Sequence, residues 1–538
     1  MRIHLLPSKD KDVISLVKKW ILAFLFITFL LHIWRIFSLN ATYDQGLFLQ
    51  EIWNGLYGRP FESTLASELS APVLFDGELP QVGYKHLAQH FTPLLAAWIP
   101  LVGILGIWAL PAIQVGLIGM AGWVLFLLAK EYLPLQLSGW IACSFFVSAP
   151  VVGPSLENFH DLCIVPLLFF SLLLGICKNN KILYFIPALL LPLVREDVGL
   201  ISFGIGLWMI LRVQNWRLYG IGLCLYSFIY VLIITNNVMP LFGSELSRRF
   251  MQERFRQYLH GQEGGTLDVL IAMASQPLLL IKELFSPPIS TFRFLLTLAL
   301  PLAIIPWLSI DSWLLIMLPL FVALSSRGGN AMAVSLRFTL YLVPGVFAGV
   351  IYWWRDKIDL FYNKSFRRFW KTCIIVAFIF TVIGNPHRSL SSIIPDSVEP
   401  WVYVPIHKSF QRGIETRQLL SYIPKEVSIA AETQLIPQLA QRRLLFRFPE
   451  NYQYKDTSGE IKNVEYIISQ PRYNAVYSIG FDREAQWTQK SIKIIKDLVE
   501  SNQYGIVLCD KRGLILRSDF ESSDESVKCF SNEFSYAS

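Results

Sequence analysis

WILAFLFITFLLHIWRIFSLNATYDQGLFLQEIWNGL, residues 20–56, decides how the rest of the chain is read. Its first half, 20–38, is apolar almost throughout and close to the ~20 residues a helix needs to cross a bilayer. Its second half turns polar within a few residues and places Asp44 just beyond that apolar run. The same contrast recurs along all 538 residues. Hydrophobic residues make up 53% and charged ones 16%, where a soluble domain carries about 25% charged; the mean hydropathy is +0.45. A large soluble enzyme, a disordered chain and a fibrous one are excluded, and a polytopic membrane protein is implied.

Eleven apolar runs read as spans: 20–38, 111–129, 135–152, 162–177, 182–194, 198–211, 218–238, 294–310, 313–326, 337–354 and 372–384. A twelfth, 93–109, contains Pro93 and Pro100. Basic residues gather on the cytoplasmic side of membrane proteins. With the N-terminus (Arg2, Lys9, Lys11, Lys18, Lys19) inside and 93–109 not crossing, Lys130, Lys178, Lys181, Arg212, Arg217 and the cluster from Arg355 to Lys371 all fall inside. If 93–109 crossed, every later loop would change sides, so it reads as interfacial or re-entrant. The net charge of +7 then belongs to loops facing the cytoplasm, and no nucleic-acid partner is expected. The outer face receives the loop 39–110, the loop 153–161, the tip 195–197, the loop 239–293 and everything after about residue 385.

From Asn385 onward the composition is that of a soluble domain. Residues 427–431, 442–448, 464–468, 505–509 and 513–517 read as strands, the last two joined by a turn at Asp510–Gly513. Residues 433–441 and 487–501 read as helices. The expected organisation is a cytoplasmic N-terminus 1–19, a membrane domain 20–384, an extracytoplasmic α/β domain 385–518 and a Ser- and acid-rich disordered tail 519–538. The seven cysteines contain no CxxC pair, and no metal knuckle follows. Cys509 and Cys529 read as a buried strand cysteine and an unrelated tail cysteine in preference to a bonded pair.

Polar groups beside a bilayer are costly, so their clusters mark candidate sites. Apolar residues at 47, 48, 52, 53 and 56 recur at helical spacing and suggest a helix lying on the membrane surface, with Asp44 at its start and Glu51 two turns on. A carboxylate there suits a general base or a metal ligand on a phosphate; the alternative is an aspartate favoured by the helix dipole. His86 and His90, four apart, would share one face of a helix and could touch one metal or phosphate, or simply make structural hydrogen bonds. Glu157, His160 and Asp161 crowd the second outer loop, either as a site or as solvated loop polarity. Arg195 can grip a phosphate or pair with Glu196 or Asp197. Arg248, Arg249, Arg254 and Arg256, interleaved with Glu245 and Glu253, read as a solvated amphipathic helix. Arg327 and Arg337 bracket a Gly-Gly-Asn turn and are candidates for a lipid phosphate or headgroup anchors.

These stretches, in order, resemble the bacterial multi-pass membrane protein family of domain of unknown function 2079. The resemblance runs over roughly residues 20–518. Its matching segments are YDQGLFLQEIWNGLYGRPFEST (43–64), HFTPLLAAWIPLVGILGIWALPAIQ (90–114), ENFHDLCIVPLLFF (157–170), REDVGLISFGIGL (195–207), QYLHGQEGGTLDVLIAMASQPLLLIKELF (257–285), PLAIIPWLSIDSWLLIMLPLFVALSS (301–326), VSIAAETQLIPQLAQRRLLFRFP (427–449) and YGIVLCDKRGLILRS (504–518). That family in turn resembles the GT-C superfamily of polytopic glycosyltransferases, which use polyprenyl-phosphate-linked sugars and keep an acid in the first outer loop. The resemblance implies a mostly α, GT-C-like bundle of about eleven spans in the plasma (inner) membrane. It puts Asp44 in the place of that acid, and Glu157, His160 or Asp161 in the second acidic loop. Asp44, Glu157 and Asp161 are then the candidate catalytic residues. Arg59, Lys85, His90, His160, Arg195, Glu196 and Arg327 are the candidate contacts to a polyprenyl-phosphate sugar and membrane lipid. A divalent metal on Asp44 with Glu157 or Asp161 is an option rather than a requirement, and the acceptor is open. One departure is visible: where the family shows a His-Tyr pair this chain has Arg337-Phe338, which puts a catalytic role there in doubt. Two other classes stay open, a lipid or small-molecule transporter or flippase, and a non-catalytic membrane protein. A transporter would show internal repeats and mid-span charges; no repeat is visible, and the charges sit at span ends.

Overall fold

The computed structural model describes residues 10–243, 246–259, 266–326 and 329–534. Each of the eleven apolar runs is largely helical, although 294–310 is broken at Ala303 and Ile304, where φ is +55° and +64°. Three helices are long and apolar enough to cross a bilayer: Lys11–Phe37, Pro93–Tyr132 and Gln214–Leu241. Leu135–Val147 and Ala149–Leu156, bent by 47° at Ser148, make a fourth if taken together. Asp161–Cys177, Lys181–Val194, Pro288–Leu302 and Ile310–Ser325 are apolar but shorter. Length and composition therefore support three or four crossings directly, against the eleven expected. The run 93–109 is continuous with 111–129 in one helical stretch of 40 residues. That stretch would reach ~60 Å, twice the hydrocarbon thickness, and regular helix is interrupted at Gly106, where φ is +56°.

The chain divides into two compact units. The first holds residues 10–30, 87–95 and 111–387. It consists of helices joined by tight, capped connections. Asn180, Ser309 and Asn363 each accept a hydrogen bond from a backbone N–H in the first turn of the helix that follows, which satisfies donors the helix leaves unpaired. Small residues let neighbouring helices meet closely. A Cβ on Gly206 would lie 2.8 Å from the Gly220 carbonyl oxygen, so Gly199–Arg212 and Arg217–Ile233 approach at backbone distance. Asp311 accepts hydrogen bonds from Trp208 Nε1 (2.8 Å) and Arg212 Nε (2.9 Å). Trp354 and Trp370 stack at 5.4 Å beside Trp140 and Phe361. Leu22, Phe26, Ile27, Leu218 and Phe228 are left exposed, as an apolar solvent allows.

The second unit holds residues 31–86, 96–110 and 388–534. At its centre is a five-stranded sheet of β1 (Ile429–Ala431), β2 (Leu445–Arg447), β3 (Tyr466–Ser469), β4 (Tyr504–Asp510) and β5 (Gly513–Ser518), in the order β2-β1-β3-β5-β4. β1 pairs parallel with β2 and β3, while β5 runs antiparallel between β3 and β4. All five strands lie where alternation and turn residues put them, and Asp510 faces Gly513 across the expected turn. Helix Asp482–Glu500 lays Ile492, Ile495 and Leu498 on a core of Phe446, Phe448, Ile467, Ile506, Leu514 and Leu516. It starts five residues earlier than expected, whereas the expected helix 433–441 shrinks to Ile436–Leu439.

Four expectations change in this unit. The loop after the first apolar run groups with the tail rather than with the membrane helices. Helix Tyr43–Gly55 does not lie on a surface: Leu47, Phe48, Leu49, Gln50, Glu51 and Ile52 are all buried. Its spacing signals burial, and the partner is protein; Gln50 Nε2 bonds the Arg442 and Arg443 carbonyls, each at 3.1 Å, and Thr64 Oγ1 bonds the Leu445 carbonyl at 2.7 Å. Cys509 and Cys529 form a disulfide. Residues 524–533, inside the stretch expected to be disordered, form a helix capped by Ser523. Its Phe530 and Phe534 join the core, an apolar contribution that the serine and acid content hides.

Candidate functional site

In the first unit, the loop after Leu156 is built around a polar residue inside an apolar helix. Gln114, fully buried, donates to the carbonyls of Pro154 (3.1 Å) and Glu157 (3.0 Å) and accepts from the His160 backbone N–H at 3.2 Å. This pins the segment between two helices and turns its side chains inward. Glu157, His160 and Asp161 are 4%, 0% and 6% exposed, so the solvated-loop reading fails. Glu157 accepts from the Arg337 backbone N–H at 2.6 Å and pairs with its Nη1 at 3.3 Å. His160 Nε2 faces the Pro154 carbonyl at 3.2 Å. A carbonyl can only accept, so Nε2 carries the proton and Nδ1 keeps its lone pair. Burial, and next to it the Arg337 guanidinium, hold His160 well below the ordinary histidine range, so the ring is neutral at physiological pH.

Arg195 stands at the start of the next turn, 4% exposed. It grips Asp197 through Nε (2.9 Å) and Nη2 (3.1 Å), and its Nη1 lies 3.6 Å from Asp161. Tyr341 hydrogen-bonds Arg195 and donates to Asp197 at 2.6 Å. Burial pushes the Asp197 carboxyl up, but Arg195 overrides it and the net position is about 2. Glu196 accepts from the Phe91 backbone N–H at 2.8 Å and meets His90 Nδ1 at 3.1 Å. Of the two readings of Arg195, pairing is the one observed; its guanidinium is committed to carboxylates.

Glu157, His160, Asp161 and Arg195 thus share one buried polar cluster, and Glu196 with the 44%-exposed His90 forms a separate, more accessible pair beside it. His86 and His90 do not form a pair on a helix, because only His86–Ala88 is helical there, as a single 3₁₀ turn. Each histidine meets a carboxylate in its own unit: His90 meets Glu196, and His86 Nδ1 lies 2.5 Å from Glu51. Arg327 lies outside the described residues. Asp44, Arg59 and Lys85 belong to the second unit. Asp44 is half-buried in the first turn of helix Tyr43–Gly55, where the helix dipole favours a negative charge. Arg59 stacks 5.6 Å from Tyr57, and Lys85 is exposed, bridged to Glu62 through the backbone.

A second polar cluster adjoins Asp44 in sequence. Tyr43 donates to Glu68 at 2.9 Å, Glu68 accepts from the Arg447 backbone N–H at 2.7 Å, and the Arg447 guanidinium lies 4.4 Å from the Tyr43 ring. Burial raises the Glu68 carboxyl to about 7. Sequence reasoning missed Gln114, Tyr341, Glu68 and Arg447. Gln114 carried a signal, a lone amide inside an apolar run; Glu68 and Arg447 are 379 positions apart and carried none. Among the described residues, no three His, Cys, Asp or Glu side chains are grouped to hold a metal ion.

The family model described as "Predicted membrane protein (DUF2079)" matches residues 35–516, and the chain belongs to that family. Comparison with curated proteins gives no match. Among solved structures, the chain is similar to the archaeal oligosaccharyltransferase AglB from Archaeoglobus fulgidus, determined in complex with an inhibitory peptide and a dolichol-phosphate. Identity is 14% and the TM-score 0.41, over 91% of this chain and 73% of the other. A likeness this loose says nothing about chemistry.

Proposed function

We propose that this protein is a membrane glycosyltransferase of the GT-C type. It moves a sugar from a polyprenyl-phosphate carrier to an acceptor at the outer face of the bacterial plasma membrane. The observation that carries the reading is the buried cluster of the first unit. Glu157, Asp161 and Arg195 are all under 7% exposed within a unit built of apolar helices, and His160 beside them is kept neutral. Burying such charges costs several kcal/mol per ion before pairing, and in membrane proteins they mark sites of function. They lie at helix ends rather than mid-span, which favours a reaction at the membrane boundary over a transport path.

In this reading Asp44 takes the proton from an acceptor hydroxyl. The acceptor oxygen bonds to the sugar's anomeric carbon from the face opposite the carrier. The bond from that carbon to the phosphate oxygen breaks, its electron pair leaves with the polyprenyl phosphate, and the configuration inverts. The phosphate is a good leaving group, so positioning and charge stabilisation suffice, and Arg59 and Lys85 supply the cationic contacts. Within the first unit, Glu157 and Asp161 hold the second acidic loop around the buried His160, and His90 and Glu196 are its more accessible polar groups. Arg195 acts as a positioning residue for Asp161. No step is routed through a metal. The Cys509–Cys529 bond supports placing the second unit outside the cytoplasm, where disulfides persist.

The test is turnover in native membranes of undecaprenyl-phosphate carrying radiolabelled glucose, mannose or arabinose. Asp44→Asn should lower it by about 10²–10⁴-fold. Undiminished turnover in that variant removes Asp44 from the reaction, and no turnover of any carrier by wild type removes the enzyme reading.

A further inference from the structure

The second unit contains a small cleft that glycosyl transfer does not use. It has room for about 90 Å³ and is lined by Arg412, Glu415, Thr416, Gln470, Arg472, Tyr473, Lys511 and Arg512. Three elements bring these residues together: helix Ile406–Leu420, the segment leaving β3, and the turn between β4 and β5. Four of the lining side chains are cations and one is an acid. Two of the cations are neutralised nearby. Arg512 is held by Asp510, with Nε to the carboxylate at 2.9 Å and Nη2 at 2.6 Å, and Arg472 pairs with Glu533. Glu415 accepts from Gln411 at 2.8 Å.

Arg412 and Lys511 are left without an acid partner among the described residues. Arg412 stacks 5.4 Å from the Tyr473 ring, and its Nη1 is buried with no hydrogen-bond partner. A buried guanidinium nitrogen lacking an acceptor is costly, because its lost hydration is not replaced. The floor of the cleft is rigid and polar: Gln470, 5% exposed, donates to Thr416 Oγ1 at 3.0 Å and to the Arg512 carbonyl at 2.9 Å. The chemistry of this lining suits a compact acceptor bearing negative charge.

We propose that this cleft is a binding site for a phosphate group, held by Arg412 and Lys511 over the Thr416–Gln470 floor. A guanidinium and an ammonium on a phosphate make charge-assisted hydrogen bonds, and a small oxyanion fits the space. The proposal is independent of the catalytic reading, since it concerns neither Asp44 nor the buried cluster of the first unit. The phosphate can be free in solution or part of an anionic lipid headgroup, and the two are separable by experiment.

The experiment is equilibrium binding of ³²P-orthophosphate to the full-length protein in dodecyl maltoside, alone and with added dioleoyl phosphatidylglycerol. Wild type should bind saturably, and Arg412→Gln and Lys511→Gln should each weaken binding at least fivefold. Lys511 is exposed in a turn, so its variant tests the site without risk to folding. Competition by phosphatidylglycerol in wild type assigns the site to a headgroup; its absence assigns it to soluble phosphate. No saturable binding, or binding unmoved by both substitutions, overturns the proposal.

Discussion

Replacing Arg195 with Met should destabilise the protein far more than an ordinary core substitution. Arg195 is 4% exposed and faces two carboxylates, Asp197 at 2.9 Å and Asp161 at 3.6 Å. Methionine roughly preserves the side-chain volume but leaves both acids without their cation. Removing one partner of a buried pair costs about 3–5 kcal/mol, and each 1.4 kcal/mol is about tenfold in an equilibrium. The unfolding constant should rise by roughly a hundredfold to four thousandfold. The assay is reversible sodium dodecyl sulfate unfolding in mixed micelles, followed by tryptophan fluorescence. The double variant Arg195→Met/Asp197→Leu should be more stable than Arg195→Met alone, because it deletes one of the stranded charges, with a coupling of about 1–3 kcal/mol. Arg195→Lys should fall between, since an ammonium cannot reproduce the two-point grip. Acid supplies an independent check. Asp197 sits at about 2 when folded against 3.8 for an unperturbed aspartate. It therefore binds fewer protons folded than unfolded between those values. The stability it lends is present above about pH 4 and is lost as pH falls through about 2. Discounted for the 30% of its side chain that stays exposed, that is about 1–2 kcal/mol, and Arg195→Met should abolish this dependence. A loss below about 1 kcal/mol in Arg195→Met, or strict additivity in the double variant, would show that the cluster is not the buried, mutually dependent network described.

Three further outcomes are expected. Glu68 is raised from 4.5 to about 7 by burial; the stability it contributes is present below about pH 4.5 and is lost as pH rises through about 7. Glu68→Gln should flatten that part of the pH–stability curve, as read by thermal unfolding between pH 4 and 8. Gly206→Leu should force apart the helices that meet at Gly220, costing about 1–3 kcal/mol, whereas the same change at Gly222, where nothing lies within 4 Å of an added Cβ, should be near neutral. Cys529→Ser should lower stability by about 3 kcal/mol, from the chain entropy of a loop closed over a separation of 20 residues. The same bond predicts that wild-type protein yields two fewer alkylatable thiols under non-reducing than under reducing denaturation, by mass spectrometry.

How much of this was legible depends on how local each signal is. The five strands of the central sheet were found within a few residues because alternation and the Asp510–Gly513 turn are written in adjacent positions, whereas the two short hairpin pairs at 397–402 and 453–463 were not read. The acids at 157–161 stood out because polarity between apolar runs is conspicuous. Their burial was not visible, because it depends on Gln114, more than forty positions earlier, holding the Pro154 and Glu157 carbonyls. The spacing of helix Tyr43–Gly55 announced an apolar face, but the same spacing serves a membrane surface and a protein core equally well. The helix at 524–533 was obscured because Phe530 and Phe534 are only two aromatic residues in a polar context.

Hydropathy and composition, taken alone, established a membrane protein with a polar α/β tail, since transfer of apolar surface out of water is additive along the chain and needs no knowledge of partners. Which charges meet, and in which protonation state, was left to the tertiary structure. The pairing of Arg195 with Asp197 rather than a phosphate, the neutrality of His160 and the raised carboxyl of Glu68 all follow from local desolvation and from neighbours that only folding brings within a few ångströms, where Coulomb and hydrogen-bond energies become decisive.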